Sequence, residues 1–402
     1  MSPAGKSLSA FRISAGRPVL LALVFGLTLP SLQSAPEVSV ERVPWEGIQS
    51  QAAVDHEGNL HLLYFRGDPR AGNLFHTVRL RGERAFRPPV QVNETPGAAI
   101  AMGTIRGGQL AIGRQGIVHV SWMGSGETLA SGAKPAEAPM LYSRSTDGGK
   151  TFEPERNLIT SAQGPVGSGS VAADAEGNVH VFWHAPERPG AVGEDQRGVW
   201  VASSTDDGAV FSPERIAWDG KVGACGCCGL KSFSLPTGTS FVLFRSAESP
   251  SQRDIYLLSR QSGIDGTFSG HKIDAWNINR CPMSSAAFAA SDDRLAIAWE
   301  SRDRVYFQGI DSRTGAPIDT AISPEGHPHK GQKHPSLAID EAGNLLLVWM
   351  VPGGWGAPGR VEWRVFLPDG TPTDTTGLQE GVPPWSMATA TFQPGSGFSV
   401  FY

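Results

Sequence analysis

Seven times along the chain, a turn of Gly, Asn, Asp or Pro gives way to four or five apolar and β-branched residues that end on an aromatic. The aromatics are Tyr64, Trp122, Trp183, Phe244, Trp299, Trp349 and Phe401, so the pattern returns after 58, 61, 61, 55, 50 and 52 residues. The stretches 59–65, 117–122, 178–183, 240–244, 294–299, 345–349 and 397–401 read as strands, being short, apolar and bounded by turn residues. Tight turns such as Asp55-His56-Glu57-Gly58-Asn59, Asp174-Ala175-Glu176-Gly177-Asn178 and Asp340-Glu341-Ala342-Gly343-Asn344 precede them, and before these come strands rich in small residues, such as 336–339. Each pair is a hairpin. A β repeat of this length is that of a propeller blade, whose two faces are buried only when neighbouring blades pack around an axis. The pattern therefore predicts an all-β, seven-bladed β-propeller, with a six-bladed ring plus an accessory hairpin as the alternative.

Most repeats add a third strand, at 140–144, 199–203, 255–259, 305–308 and 361–365, then a turn and an outer strand. The seventh repeat stops at Tyr402 with its inner hairpin alone, and the segment 37–43 is the candidate to complete that blade and join the chain ends.

Residues 1–34 stand outside the repeat. Lys6, Arg12 and Arg17 lead into the apolar run 19–29, followed by Pro30 and a small-polar stretch, which reads as a secretory signal cleaved near Ser34. The run is too short for a permanent membrane span. The expected domain plan is a signal peptide at 1–34 and one propeller at 35–402, in a soluble periplasmic or secreted product, expected to be a monomer. Without the leader, 31 Lys and Arg face 39 Asp and Glu, a net charge of about −8. With no basic block in the chain, this disfavours nucleic acid.

Two segments carry a more specific signal. Ser145-Thr146-Asp147-Gly148-Gly149-Lys150-Thr151-Phe152 in the second repeat is similar to the Asp-box (BNR) motif S-x-D-x-G-x-T-[FW], and Ser204-Thr205-Asp206-Asp207-Gly208-Ala209-Val210-Phe211 is a weaker copy in the third. The Asp carboxylate suits backbone N–H groups of its own turn, Gly suits positive φ, and the aromatic plugs the blade. The chain thus resembles the sialidase-like, Asp-box propeller superfamily. In addition, Cys225-Gly226-Cys227-Cys228 and Asn279-Arg280-Cys281-Pro282 resemble the C-x-C-C and N-x-C-P arrangement of exported bacterial exo-sialidase-like proteins.

The resemblance implies a ligand site on the face opposite the Asp boxes. Sialidases use a Tyr nucleophile paired with Glu, an Asp acid/base and three Arg that bind a carboxylate. The candidates here are Arg66, Arg245 and Arg302 as anion binders, Glu300 or Asp68 as acid/base and Tyr402 as nucleophile, although the family's Phe-Arg-Ile-Pro element has no counterpart beyond Phe65-Arg66. His184, Trp276 and Trp385 are candidate ligand-binding residues on the same rim. The leading reading is a noncatalytic or weakly catalytic module binding a small ligand, glycan or partner protein; the alternative is an exo-glycosidase of sialidase type.

The four cysteines all fall in two consecutive inter-blade connections. In an exported protein the expectation is two disulfides and no cofactor. Cys281 takes one of Cys225, Cys227 and Cys228, and the other two close a tight loop. The alternative is a thiolate site for zinc or copper, with Met283 or a nearby His. His327, His329 and His334 form an irregularly spaced cluster that reads as a solvated loop, whereas His61, His119 and His180 recur at one repeat position and read as part of the packing.

Overall fold

The computed structural model describes residues 36–103, 107–129, 138–261, 266–324, 331–351 and 356–402. The expected leader, His327 and His329 lie outside them. Seven separate sheets succeed one another along the chain. Their innermost strands are Ile48–Val54, Gln109–Ile112, Val166–Ala173, Lys231–Ser234, Ala286–Ala290, Lys333–Ile339 and Thr389–Gln393. Each packs on the next, and the last returns to the first, so the ring closes with seven blades.

The seventh blade is completed by Val38–Glu41, which lies parallel to Gly397–Phe401 with Val38 opposite Phe398 and Glu41 opposite Phe401. The Tyr402 carbonyl accepts from Val43 N at 2.9 Å, and Tyr402 N donates to Glu41 O at 3.1 Å. The first described strand and the last are therefore hydrogen-bonded neighbours.

Alternation along each second strand decides which neighbour a side chain meets. Trp122 packs with Leu63, Phe65 and Leu74 of blade 1. Trp183 meets Met140 and Tyr142 of blade 2, and Trp349 meets Ala298 and Phe307 of blade 5. Each Trp thus faces the preceding blade. Blade 7 departs from the expected repeat: Phe401 faces forward onto Leu60, Leu62 and Tyr64 of blade 1. Tyr402, one residue on and of opposite parity, packs backward on Val348 and Met350 of blade 6. Tyr402 is therefore the structural equivalent of the buried tryptophans.

The two Asp-containing turns lock successive blades together. Asp147 Oδ1 accepts from Lys150 N at 2.9 Å and Thr151 N at 3.0 Å, and Oδ2 from Thr151 Oγ1 at 2.7 Å. Burial raises the Asp147 pKa, but the bonds from Thr151 and Ser145 outweigh it and bring it to about 2. Phe152 meets the His76 ring of blade 1 edge-on at 5.4 Å. In the next turn Phe211 meets Tyr142 of blade 2 edge-on at 4.8 Å. Beneath the turns, His61 Nδ1 pairs with His76 Nε2 at 3.0 Å, and His119 Nδ1 with Tyr142 Oη at 2.7 Å. The recurrent histidines are buried packing elements.

Candidate functional site: the axial mouth

Because consecutive strands of a blade run antiparallel, inner strands start and second strands end on one face of the ring. Third strands end on the opposite face, which is where the Ser145 and Ser204 turns lie. On the first face the ring opens into a cavity of about 120 Å³ to which every blade contributes. Its polar lining is Gln51, Gln109, Ser168, Lys231, Ser285, His334, Ser336 and Thr389, drawn from all seven blades in order. Small residues dominate the inner strands because bulky side chains would collide at the axis, so a lysine here is a departure from the pattern.

Lys231 Nζ donates to Gln51 Oε1 at 2.7 Å and Gln109 Oε1 at 3.0 Å. Both amides are fixed from behind: Gln51 Nε2 donates to the Ser50 carbonyl at 3.0 Å and Gln109 Nε2 to that of Gly108 at 3.2 Å. An ammonium has three donors. Neither partner is charged, and burial between the blades lowers the Lys231 pKa from 10.5 to about 8. The axis thus holds a protonated amine at neutral pH with one N–H unpaired among the described residues.

The rim of blades 4 to 6 is a single polar network. Glu300, 3% exposed, accepts through Oε1 from His334 N at 2.7 Å and Ser285 N at 3.1 Å, and its Oε2 lies 3.2 Å from Lys333 Nζ. Ser285 Oγ and His334 Nδ1 are 3.2 Å apart. Burial lowers the His334 pKa to about 4, with Lys333 adding to the effect and Glu300 opposing it, so the ring is neutral at pH 7. Arg245, 1% exposed, donates through Nε to Ser284 Oγ at 2.7 Å, through Nη1 to the Arg253 carbonyl at 2.5 Å and through Nη2 to the Glu300 carbonyl. Its guanidinium also stacks 4.9 Å over Trp276.

These contacts change the roles expected from sequence. Arg245 and Glu300 do meet, but both are buried and engaged, so Arg245 is a brace and not an exposed anion binder. Arg66 is exposed in blade 1 over the Phe75 ring, and Arg302 in blade 5 is held by Asp274 at 3.0 Å. Tyr402 sits in the interface of blades 6 and 7, beside Arg42. Asp68 is exposed near the end of the blade 1 second strand, where it accepts from Arg70 N at 2.9 Å. His184, expected on the rim, is fully buried against Phe244, and burial drives its pKa to about 3. Trp276 and Trp385 are half-buried. Of the five candidates, Arg245 and Glu300 are joined by a described hydrogen bond, from the guanidinium to the Glu300 carbonyl, whereas the described partners of Arg66, Arg302 and Tyr402 are other residues.

The cysteines also depart from expectation. Cys227 and Cys281 form one disulfide, spanning the connections into blades 4 and 5. Cys225 and Cys228 are free, buried thiols with sulfurs 2.9 Å apart. Met283, at φ 46, follows Cys281 by two residues and is half-buried.

A larger concavity, of about 590 Å³, lies on the opposite face between blades 1 and 2 and includes Asp55, His61, His76 and Asp147. Its groups serve the blade scaffold: Asp55 accepts from Glu57 N, Asn59 N and Asn59 Nδ2 at 2.9, 2.8 and 2.9 Å, and faces His61 at 3.1 Å. The Asp174 turn of blade 3 repeats the backbone bonds, so this geometry belongs to the repeat. The axial mouth, with its singular lysine, is the better candidate despite its smaller size.

Sequence reasoning missed Lys231, Gln51 and Gln109. The available signal was a charged residue at an inner-strand register position that holds Gln51, Gln109, Ser170, Ala287 and Ser336 in other blades.

No protein-family model matches the chain, and no curated protein matches it. Among solved structures, a protein of unknown function from Dyadobacter fermentans DSM 18053 is 14% identical, with a TM-score of 0.52 over 86% of this chain and 98% of that one. The Hadza microbial sialidase Hz136 is 15% identical over 81% of this chain and 69% of its own, with a TM-score of 0.49. A GH93 α-L-arabinofuranosidase of Fusarium graminearum is 14% identical over 83% and 93%, also with a TM-score of 0.49. At these identities the likeness is one of fold alone: the chain is a seven-bladed β-propeller.

Proposed function

We propose that the axial mouth binds a small polar ligand carrying a carboxylate, such as the acidic terminal unit of a glycan, and that the protein does so without hydrolysing it. The observation that carries this reading is the Lys231 ammonium, held on the axis by two neutral amide oxygens. A carboxylate entering along the axis would meet a charged donor whose own partners are uncharged. The surrounding amides and hydroxyls suit the polar groups of a sugar, and at about 120 Å³ the cavity would take the carboxylate end of such a unit, with the rest of it outside.

Glycoside hydrolysis ordinarily requires two carboxyl groups flanking the reacting bond. The described lining of the mouth contains no Asp or Glu, and the nearest candidate, Glu300, is already engaged by two backbone N–H groups and Lys333. Binding is therefore the reading carried forward. Export accords with the Cys227–Cys281 disulfide, since such bonds persist in oxidising compartments. No described helix is long and apolar enough to cross a membrane.

Calorimetric titration with N-acetylneuraminic acid and with arabinobiose, run beside a turnover screen of aryl glycosides, tests the proposal. Binding of the acidic sugar with no turnover supports it. Robust turnover, or binding of only the neutral sugar, contradicts it.

A further inference from the structure

The free thiol pair and the disulfide beside it form a chemically connected set that ligand binding does not use. Cys225 Sγ lies 2.9 Å from Cys228 Sγ and 3.4 Å from Cys227 Sγ, one of the two sulfurs of the disulfide. Cys225 and Cys228 are fully buried, Cys227 is half-buried and Cys281 is exposed. A thiol within van der Waals reach of a disulfide sulfur is placed for exchange, which needs only that the attacking sulfur be a thiolate and the departing one be stabilised.

The surroundings place thiolate character on Cys228 and hold the proton on Cys225, whose pKa is raised by its bond with Cys228 and by burial. Cys225 thus becomes a nucleophile only by passing that proton to Cys228. Ser284 presents both N–H and O–H to Cys228 Sγ at 3.4 Å, and Arg245 binds that hydroxyl from behind at 2.7 Å. Burial raises the Cys228 pKa, but the Cys225 thiol, Arg245 and Ser284 together bring it down to about 7.

We propose that Cys225, Cys227, Cys228 and Cys281 constitute a thiol–disulfide exchange site that moves one disulfide between a rim position, Cys227–Cys281, and a buried position, Cys225–Cys228. In the first step the Cys225 proton passes to the Cys228 thiolate, and Cys225 Sγ attacks Cys227 Sγ. The Cys225–Cys227 bond forms, the Cys227–Cys281 bond breaks, and Cys281 leaves as a thiolate that takes a proton from solvent. In the second, Cys228 loses its proton and attacks Cys225 Sγ; the Cys225–Cys228 bond forms and Cys227 leaves and is protonated. One disulfide and two thiols are present throughout, so no external oxidant or reductant is consumed. The outcome is a bond that either ties the connections into blades 4 and 5 together or releases them with two accessible thiols at the rim.

Peptide mapping of the full chain under non-reducing conditions tests this. Tryptic cleavage places Cys225, Cys227 and Cys228 on the fragment 222–231 and Cys281 on another, so labelling of Cys281 reports loss of the rim disulfide. Protein held anaerobically at mildly alkaline pH without oxidant is acid-quenched and alkylated, and compared with protein quenched at once. The expected result is two labelled thiols per chain in both samples, with Cys281 labelling severalfold higher after incubation. It falls back to the starting level in Cys225→Ser, while in Cys228→Ser, which lacks both the proton acceptor of the first step and the nucleophile of the second, Cys281 labelling rises more slowly than in the parent and the bond stops at Cys225–Cys227. Cys281 labelling that stays at the starting level in the unsubstituted protein overturns the proposal. So do labelling that is unaffected by Cys225→Ser, complete absence of thiols, and four thiols accompanied by stoichiometric zinc or copper.

Discussion

Gly149 of the second blade closes on the imidazole of His76 in the first, so tightly that a Cβ at this position would overlap the ring. Its neighbour Gly148 has a similar backbone, φ 73 against φ 88, but nothing within 4 Å. The pair separates two reasons for glycine within a single turn, conformation and close approach. Gly148→Ala should cost ~1 kcal/mol, the ordinary penalty for a side chain at positive φ. Gly149→Ala should cost ~1–3 kcal/mol more, because the His76 ring must also move. Urea denaturation of both variants measures the difference; equal losses would mean that the turn does not clamp the blades.

Burial lowers the pKa of His76, His119, His180 and His184 to about 3 and that of His334 to about 4, against an ordinary 6.5. Between these values the unfolded chain binds more protons than the folded one, so stability is full above pH 6.5 and is lost as pH falls toward 3. Each such histidine contributes a slope of ~1.4 kcal/mol per pH unit in that window. His184 makes no hydrogen bond with either ring nitrogen. His184→Leu should therefore reduce the acid slope by about one proton, as read from urea midpoints between pH 4 and 7. An unchanged slope would show that His184 is protonated in the fold.

Tyr402 is a packing residue in this structure, so its hydroxyl should be dispensable. Tyr402→Phe is expected to leave stability within ~0.5 kcal/mol and ligand binding unchanged, whereas Tyr402→Ala should cost ~3–5 kcal/mol by opening the interface of blades 6 and 7. Glycoside turnover that disappears in Tyr402→Phe would restore it as a nucleophile.

Arg245 braces the rim through three hydrogen bonds to groups in three segments. Arg245→Lys retains the charge but cannot reach Ser284, Arg253 and Glu300 together, since it lacks the planar fork. A loss of ~1.5–3 kcal/mol is expected, measured by thermal and urea unfolding. A variant as stable as the parent would mean that the arginine is held for ligand contact.

The ring was legible in the sequence because its cause is local. Each hairpin carries its own turn, its own alternation and an aromatic at a fixed offset, and the unfinished seventh repeat announced the strand that completes it. The error at Phe401 was one of parity. Adjacent residues on a strand face opposite blades, and with Phe401 and Tyr402 both aromatic the composition alone did not decide which one filled the tryptophan position. The candidate site was largely illegible because the axis gathers residues from seven distant segments. Gln51, Gln109 and Lys231 are unremarkable in their own stretches and acquire meaning only when the inner strands converge. Conversely Arg245, Glu300 and His184 sit at strand ends that periodicity placed on the rim, and their burial arises from inter-blade connections that carry no repeat. For the cysteines, the partner of Cys281 and the proximity of the other two depend on the path of those same connections.

If Lys231 is the ligand-binding ammonium of the axis, its replacement abolishes binding. Its pKa is lowered from 10.5 to about 8, so the amine is charged at pH 7 and neutral above that value. Between about 8 and 10.5 the unfolded chain binds more protons, so stability should rise with pH across that window. Lys231→Met, of similar shape, removes a desolvated charge that has no ionic partner. The decisive measurement is titration of N-acetylneuraminic acid into the parent and Lys231→Met proteins from pH 6 to 9.5, with the melting temperature recorded for each. Parent affinity should fall as pH rises through about 8, and Lys231→Met should lose binding at every pH while melting no lower than the parent at pH 7. Binding that persists in Lys231→Met, or that is insensitive to pH across this range, would contradict that role for Lys231.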